Sequence, residues 1–236
     1  MNGILDFPEL EEIIFGEKVH LEQSKSTLIH MYGEAGSGKT TVALQLAIGF
    51  CIQNKKVIFI DTEGKVIGEK IKNISKNKFD LVNKNLKIYF PNKFDQQHDF
   101  IQKLEFYLAN QNIGVIVVDT MTNLYRQAML FRKDTKILYE RLAFQVAYLR
   151  KVSRDTNIPI ILINQATMPK AIKNEDNTLS YNYERINPVA KAVMSYWSDR
   201  EIILISHGWG SFEARIPGEF ERRVKFKIDS NGINPL

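Results

Sequence analysis

Short apolar, β-branched runs alternate along most of this chain with stretches whose apolar residues recur at helical spacing. The runs at 27–31, 56–60, 86–89, 114–119 and 158–163 are each bounded by turn or polar residues, the pattern of buried strands. Helices are predicted between them over 39–54, 68–77, 98–111 and 136–156. In the last of these, Leu142, Val146, Leu149 and Val152 share one face. Strand–helix alternation predicts an α/β fold built on a mostly parallel twisted sheet with helices on both faces. The pattern changes after residue 200. Runs at 201–206, 212–216 and 224–228 are joined by glycine-containing turns too short for crossover helices, so they extend the sheet with antiparallel strands. No repeat or Gly/Ser/Pro linker divides the chain, and residues 1–236 read as one domain.

Composition narrows this picture only slightly. At 236 residues, 44% hydrophobic and 25% charged, the chain has the makings of an ordinary globular protein. Its single cysteine, Cys51, excludes an internal disulfide and reads as a buried, inert thiol. No secretory signal is visible and no apolar run is long enough to span a bilayer, so a cytoplasmic protein without a membrane role is expected. The net charge of +5 points to a polyanionic partner. Seven lysines against Glu69 and Asp80 crowd residues 65–87, and such a run reads as a solvated helix face.

The chemistry is carried by four segments. Residues 33–40 read GEAGSGKT, and they follow a strand and open a helix. Gly33, Gly36 and Gly38 let the backbone turn so that the N–H groups of Glu34, Ala35, Ser37 and their neighbours, on to Thr41, face a phosphate at a helix N-terminus. Lys39 places a charge on the β- and γ-phosphates, and Thr40 offers its hydroxyl to Mg²⁺. ATP and Mg²⁺ are therefore the expected ligands. GVIVVDT at 114–120 ends a buried strand on Asp119, which would hold Mg²⁺ through water. VIFIDTEG at 57–64 ends on Asp61 and Glu63, with Glu63 placed to activate water. PIILINQAT at 159–167 ends on Gln165, an amide suited to sensing a γ-phosphate.

These four segments, in this order, resemble the RecA/RadA recombinase superfamily. FIDTEG with Glu63, INQ with Gln165, residues 139–165 and FKIDSNGI at 226–233 all follow its pattern, and the likeness spans roughly residues 5–233. The resemblance is to a short archaeal paralogue, because the chain begins almost at the ATPase core, without room for an N-terminal helix-hairpin-helix domain. The Phe-x-x-Ala spacing that links recombinases into filaments occurs at 106–109 and 144–147, inside helical patterns where it is expected to serve core packing. Three features depart from the family. Ile67 stands near the place of an adenine-stacking arginine, residues 166–190 lack glycine, and SHGWG at 206–210 replaces a basic cap. The resemblance thus implies slow hydrolysis.

It also implies two loops facing DNA. The first, 123–136, carries Arg126, Arg132, Lys133 and Lys136 with Tyr125 and Phe131; the second, 166–190, carries Lys170, Lys173 and Arg185 with Tyr181 and Tyr183. Arg222, Arg223, Lys225 and Lys227 form a third basic group. Trp197 and Trp209 are expected to pack at the sheet edge, and His207 reads as a turn residue. The function so implied is a DNA-binding, weakly hydrolysing ATPase of homologous recombination and repair, acting beside the main archaeal RadA-type recombinase. Single-stranded DNA is the first expected partner and double-stranded DNA the second. Two rival readings remain open: a nucleotide-gated protein-binding module, and a KaiC-like regulatory ATPase without a DNA role.

Overall fold

The computed structural model describes residues 3–16, 26–66, 68–167, 169, 172–173, 179–180, 186–219 and 221–236. Its strands are β1 (Leu28–Gly33), β2 (Lys56–Asp61), β3 (Leu86–Tyr89), β4 (Ile113–Asp119), β5 (Ile160–Thr167), β6 (Ile172–Lys173), β7 (Leu179–Ser180), β8 (Asn187–Pro188), β9 (Arg200–Gly208), β10 (Ser211–Arg215), β11 (Arg223–Asp229) and β12 (Gly232–Pro235). Its helices are α1 (Pro8–Phe15), α2 (Lys39–Ile52), α3 (Gly68–Ser75), α4 (Phe79–Asn85), α5 (Phe94–Gln102), α6 (Leu104–Leu108), α7 (Asn123–Phe131), α8 (Thr135–Thr156) and α9 (Lys191–Trp197).

The main sheet runs β12-β11-β10-β9-β1-β5-β4-β2-β3, with β8 paired to the end of β5. The pairings from β9 to β3 are all parallel, and β10, β11 and β12 continue the sheet antiparallel. This is the expected RecA-like plan. Period-two alternation explains why both faces are covered. Val57, Phe59, Val115, Val117, Ile161 and Ile163 point into one core with α2, while Ile58, Ile60, Ile116, Val118, Ile160 and Leu162 point into the other, against α8. A strand buried on both faces reads as a continuous apolar run, as IVV and IILI do.

Several elements differ from expectation. The stretch 98–111 is two helices, α5 and α6, broken at Lys103. The first expected DNA loop is largely the helix α7. Pro8 at the first turn and Gly16 at φ 88° bound α1, a helix that the sequence pattern did not reveal. Residues 3–5 lie against α2 and α1 packs on β9, β10 and β11, with Ile4, Leu5, Leu10 and Ile14 in the core; a Cβ on Gly49 would sit 2.0 Å from the Ile4 carbonyl oxygen. Cys51 is buried as expected, and burial pushes its thiol up to about 12. Among the described residues no helix is long and apolar enough to cross a membrane.

Candidate functional site

Four parallel strand ends converge on one cleft of about 290 Å³. It is lined by Ala35, Gly36, Gly38, Lys39, Thr40 and Thr41 from the glycine-rich turn, with Glu63, Asp119 and Gln165 at the neighbouring strand ends. The expected phosphate, metal and sensor residues are thus brought together. Their register explains it: Gly33 pairs with Gln165, and Asp61 with Asp119, so the chain leaves each strand at one level.

The turn is shaped by glycines that nothing else can replace. Gly38 caps α2 at φ 85°, and a Cβ there would meet the Ile228 side chain at 2.6 Å. A Cβ on Gly33 would lie 2.2 Å from the Leu204 carbonyl oxygen. Within the turn, Lys39 Nζ donates to the carbonyls of Gly33 (3.0 Å) and Glu34 (2.5 Å) and to the Ser37 hydroxyl (3.1 Å). Those acceptors hold the ammonium over the turn, where an incoming phosphate competes for it. Burial brings Lys39 down to about 8, opposed by the charges of Asp119 and Glu63.

Asp119 is the opposite case. Both its carboxylate oxygens are buried and neither meets a hydrogen-bond partner of ordinary geometry. Burial pushes it up to about 6, against the easing effect of the Thr40 hydroxyl and the Lys39 charge. A buried carboxylate without partners calls for a cation, and paired with the Thr40 hydroxyl it is an oxygen donor set suited to hydrated Mg²⁺. The residues therefore fit the expected metal.

The turn after β2 is fixed from within. Asp61 accepts from the backbone N–H groups of Glu63 (3.0 Å), Gly64 (2.8 Å) and Val66 (2.9 Å), so this acid organises the loop while Glu63 faces the cleft. Thr62 latches that loop to the end of β4. Its hydroxyl donates to the Thr120 carbonyl and accepts from the Thr120 N–H, each at 2.9 Å. The carboxylate of Glu63 is ion-paired with Lys65.

The residues expected to face DNA fare differently. Arg126, exposed on α7, donates to the Gln165 amide oxygen at 3.1 Å, so a candidate DNA contact touches the candidate sensor. Arg132 is ion-paired with Asp95, which also takes Arg141. Lys136 lies 3.8 Å from Glu140, and Lys133 is exposed. The apolar tip of α7 is also bare, with Leu130 80% and Phe131 87% exposed, whereas Tyr125 is buried. Of the second loop, Lys173 lies on β6, paired with β7. Lys170, Tyr181, Tyr183 and Arg185 fall outside the described residues, as does Ile67. Arg223, Lys225 and Lys227 form the exposed face of β11, and Arg222 bonds Glu219 at 3.1 Å.

Three expectations are corrected. Trp209 does not pack: it stands fully exposed in the turn between β9 and β10, because Gly208, Trp209 and Gly210 all take positive φ and turn the indole outward. His207 is not a turn residue but the end of β9, with Nε2 3.3 Å from the buried Glu213 carboxylate. Phe106 is 82% exposed and Phe144 45%, so neither Phe-x-x-Ala pattern serves core packing at its phenylalanine. The lysine run 65–87 also departs from a purely solvated face: Lys65 lines the cleft, and half-buried Lys70 donates to the Thr41 hydroxyl at 2.7 Å. Sequence reasoning missed these two lysines, and it missed Asn164. The Asn164 amide accepts from the Thr122 hydroxyl before α7 and donates at 2.7 Å to the Val189 carbonyl near the end of the second loop. The one visible signal was an amide interrupting the otherwise apolar run of β5.

A glycine-rich strand–turn–helix beside an orphaned carboxylate, on a parallel sheet extended by antiparallel strands, defines a P-loop protein of RecA-like architecture. The chain belongs to the Rad51 family, whose model matches residues 18–235. It is similar to the DNA repair and recombination protein RadB of Methanococcus maripaludis, 31% identical over 230 residues that cover 95% of this chain and 96% of that one. The protein of the same description from Methanocaldococcus jannaschii is 31% identical over 236 residues, covering 95% and 98%. Among solved structures, the crystal structure of the RadB recombinase superposes with a TM-score of 0.72 at 25% identity, covering 97% of this chain and 96% of that one.

Proposed function

We propose that the cleft binds MgATP and that the chain is a DNA-binding, slowly hydrolysing ATPase of homologous recombination and repair. The observation that carries the nucleotide reading is the buried, partnerless Asp119 carboxylate across the cleft from the Lys39 ammonium. Lys39 holds the β- and γ-phosphates, and the N–H groups from Glu34 to Thr41 cradle them. Thr40 and Asp119 are the residues that would hold Mg²⁺, which neutralises phosphate charge when bound. Glu63 orients and deprotonates the attacking water. Gln165 reads the γ-phosphate and, through its bond with Arg126, passes that state to α7.

On this reading Arg126, Arg132, Lys133 and Lys136 meet DNA phosphates, joined by Lys170, Lys173 and Arg185 of the second loop. Single-stranded DNA is the first substrate and double-stranded DNA the second. The relatives' names support the recombination setting. The domain of residues 1–236 then acts as an accessory to a RadA-type recombinase. Anisotropy of labelled single-stranded DNA, with and without MgATP across salt, tests this. Saturable binding that weakens with salt and shifts with MgATP is expected. No binding at low salt by folded, ATP-loaded protein would sink the DNA role.

A further inference from the structure

The cleft holds a second cation that the reading above leaves unused. Lys39 and Lys65 are the basic side chains among its described lining, and Glu63 and Asp119 are the acidic ones. Lys39 comes from the turn before α2. Lys65 comes from the opposite wall, on a loop whose backbone is pinned by the three N–H bonds to Asp61. Its ammonium pairs with Glu63, and its side chain is 62% exposed. The electrostatics place it among the reacting groups. The bond with Glu63 chiefly holds Lys65 above the usual lysine range, against burial, and the charges of Asp119 and Asp61 add to this. The Lys65 charge in turn adds to the burial that lowers Lys39, so both ammoniums act on one small volume.

We propose that Lys65 is a cis-acting catalytic cation for the γ-phosphate, exchanging its Glu63 partner for phosphate oxygen when ATP is bound. The inference rests on the MgATP reading of the cleft. Phosphoryl transfer leaves little covalent work to the protein, and a positioned cation supplied in cis or in trans is among its largest contributions. A γ-phosphate offers Lys65 more negative charge than one carboxylate does. Leaving Glu63 has a second effect, because the freed carboxylate can then accept a proton from water. In the step itself, the water oxygen bonds the γ-phosphorus as the bridging P–O bond breaks. The bridging oxygen leaves with its electron pair on ADP, and the water proton passes to Glu63 and on to the released phosphate. Lys65 remains an ammonium throughout. One lysine thereby ties two events together, charge neutralisation at the phosphate and unmasking of the base.

The test compares Lys65→Ala and Lys65→Arg with the parent protein, each checked for an unchanged thermal melt. Affinities for ADP and for a non-hydrolysable ATP analogue are measured with Mg²⁺. A contact made only with the γ-phosphate predicts that Lys65→Ala weakens the ATP analogue about ten-fold and leaves ADP within about two-fold, as expected for loss of one charge-assisted bond. Lys65→Arg restores most of the preference. Single-turnover hydrolysis by Lys65→Ala falls at least about a hundred-fold, and the parent's specific activity does not change with protein concentration, because the cation is intramolecular. Equal losses for ADP and the ATP analogue, or no loss for either, overturn the proposal. Faster hydrolysis by Lys65→Ala also overturns it, making Lys65 a brake on Glu63. If the parent protein binds neither nucleotide, the MgATP reading falls and this inference with it; if it binds both and only the Lys65 variants fail to discriminate as stated, the MgATP reading stands.

Discussion

The candidate cleft and the α7 face both carry charged residues, and they use them in opposite ways. In the cleft, Asp119 is buried without a hydrogen-bond partner and Lys39 leans on carbonyls that a phosphate can displace. Just past α7, Arg132 is already committed to Asp95, and on α7 Arg126 is bonded to Gln165. Charge held in an unsatisfied or displaceable state is stored binding capacity, because a ligand removes a penalty as well as adding a contact. Charge already paired has to be released first. On the proposed reading, the cleft should therefore bind strongly and in one geometry, and the α7 face weakly and adjustably.

The comparison breaks most readily at Lys39. Lys39→Ala should weaken MgATP binding by at least about a hundred-fold, the loss expected when a buried charge-assisted contact to phosphate is removed, and calorimetric titration would read it. Normal binding by that variant would mean that the phosphate lies elsewhere. Asp119→Asn comes next, with effects of opposite sign. The native carboxyl sits at about 6, above its ordinary 3.8, so its ionised form costs stability at neutral pH and that cost fades as pH falls towards 4. Removing the charge should stabilise the nucleotide-free protein at pH 7.5 by up to about 3 kcal/mol, from a linkage of roughly 1.4 kcal/mol per pH unit over that shift, while Mg²⁺ ceases to strengthen nucleotide binding. Chemical denaturation with and without MgATP reads both signs, and a destabilised Asn variant would refute the account.

On the other side, Arg126→Ala should weaken single-stranded DNA binding about ten-fold at low salt and reduce the salt slope by about one. It should also blunt the effect of MgATP on DNA affinity, since Gln165 loses its partner. Arg132→Ala should matter less, about three-fold or below, because Asp95 already claims that guanidinium. Equal effects from the two arginines would erase the distinction between a guanidinium bonded to a neutral amide and one held by a carboxylate. The smallest effect is a proton. Lys39 is lowered to about 8, so above that pH it is largely neutral until phosphate recharges it. MgATP binding at pH 8.5 should take up about half a proton or more, visible as a dependence of binding heat on buffer ionisation, and affinity should fall as pH rises past 8.

The two regions were unequally legible in the sequence, for a physical reason. Gly33, Gly36 and Gly38, Lys39, the carboxylates Asp61, Glu63 and Asp119, and Gln165 sit where backbone constraints leave few alternatives: a glycine turn and the ends of apolar strands. Their spacing along the chain therefore translates directly into position. The parallel core and its antiparallel extension were readable for the same reason. A lysine or arginine on a helix has a long side chain whose partner is chosen by distant elements, and no local pattern announces that choice. Hence Lys65, read as surface charge, lines the cleft and Lys70 bonds Thr41, and Arg132, read as a DNA contact, is held by Asp95. Helix α1 was missed because eight residues give too short a period to stand out, and Trp209 because its exposure depends on the positive φ of three successive residues.

The close approach of Ile228 to Gly38 and of the Leu204 carbonyl to Gly33 also bears on how the protein is made. The glycine-rich turn is translated early, yet Phe212 and Ile228, which wall the cleft, emerge almost two hundred residues later. Contacts of such long sequence separation are formed late in folding. A growing chain on the ribosome has its glycine-rich turn in place but lacks the wall it leans against. On the proposed MgATP reading, nucleotide capture becomes a signature of a finished molecule, and truncated products should be left without a hold on the cell's ATP.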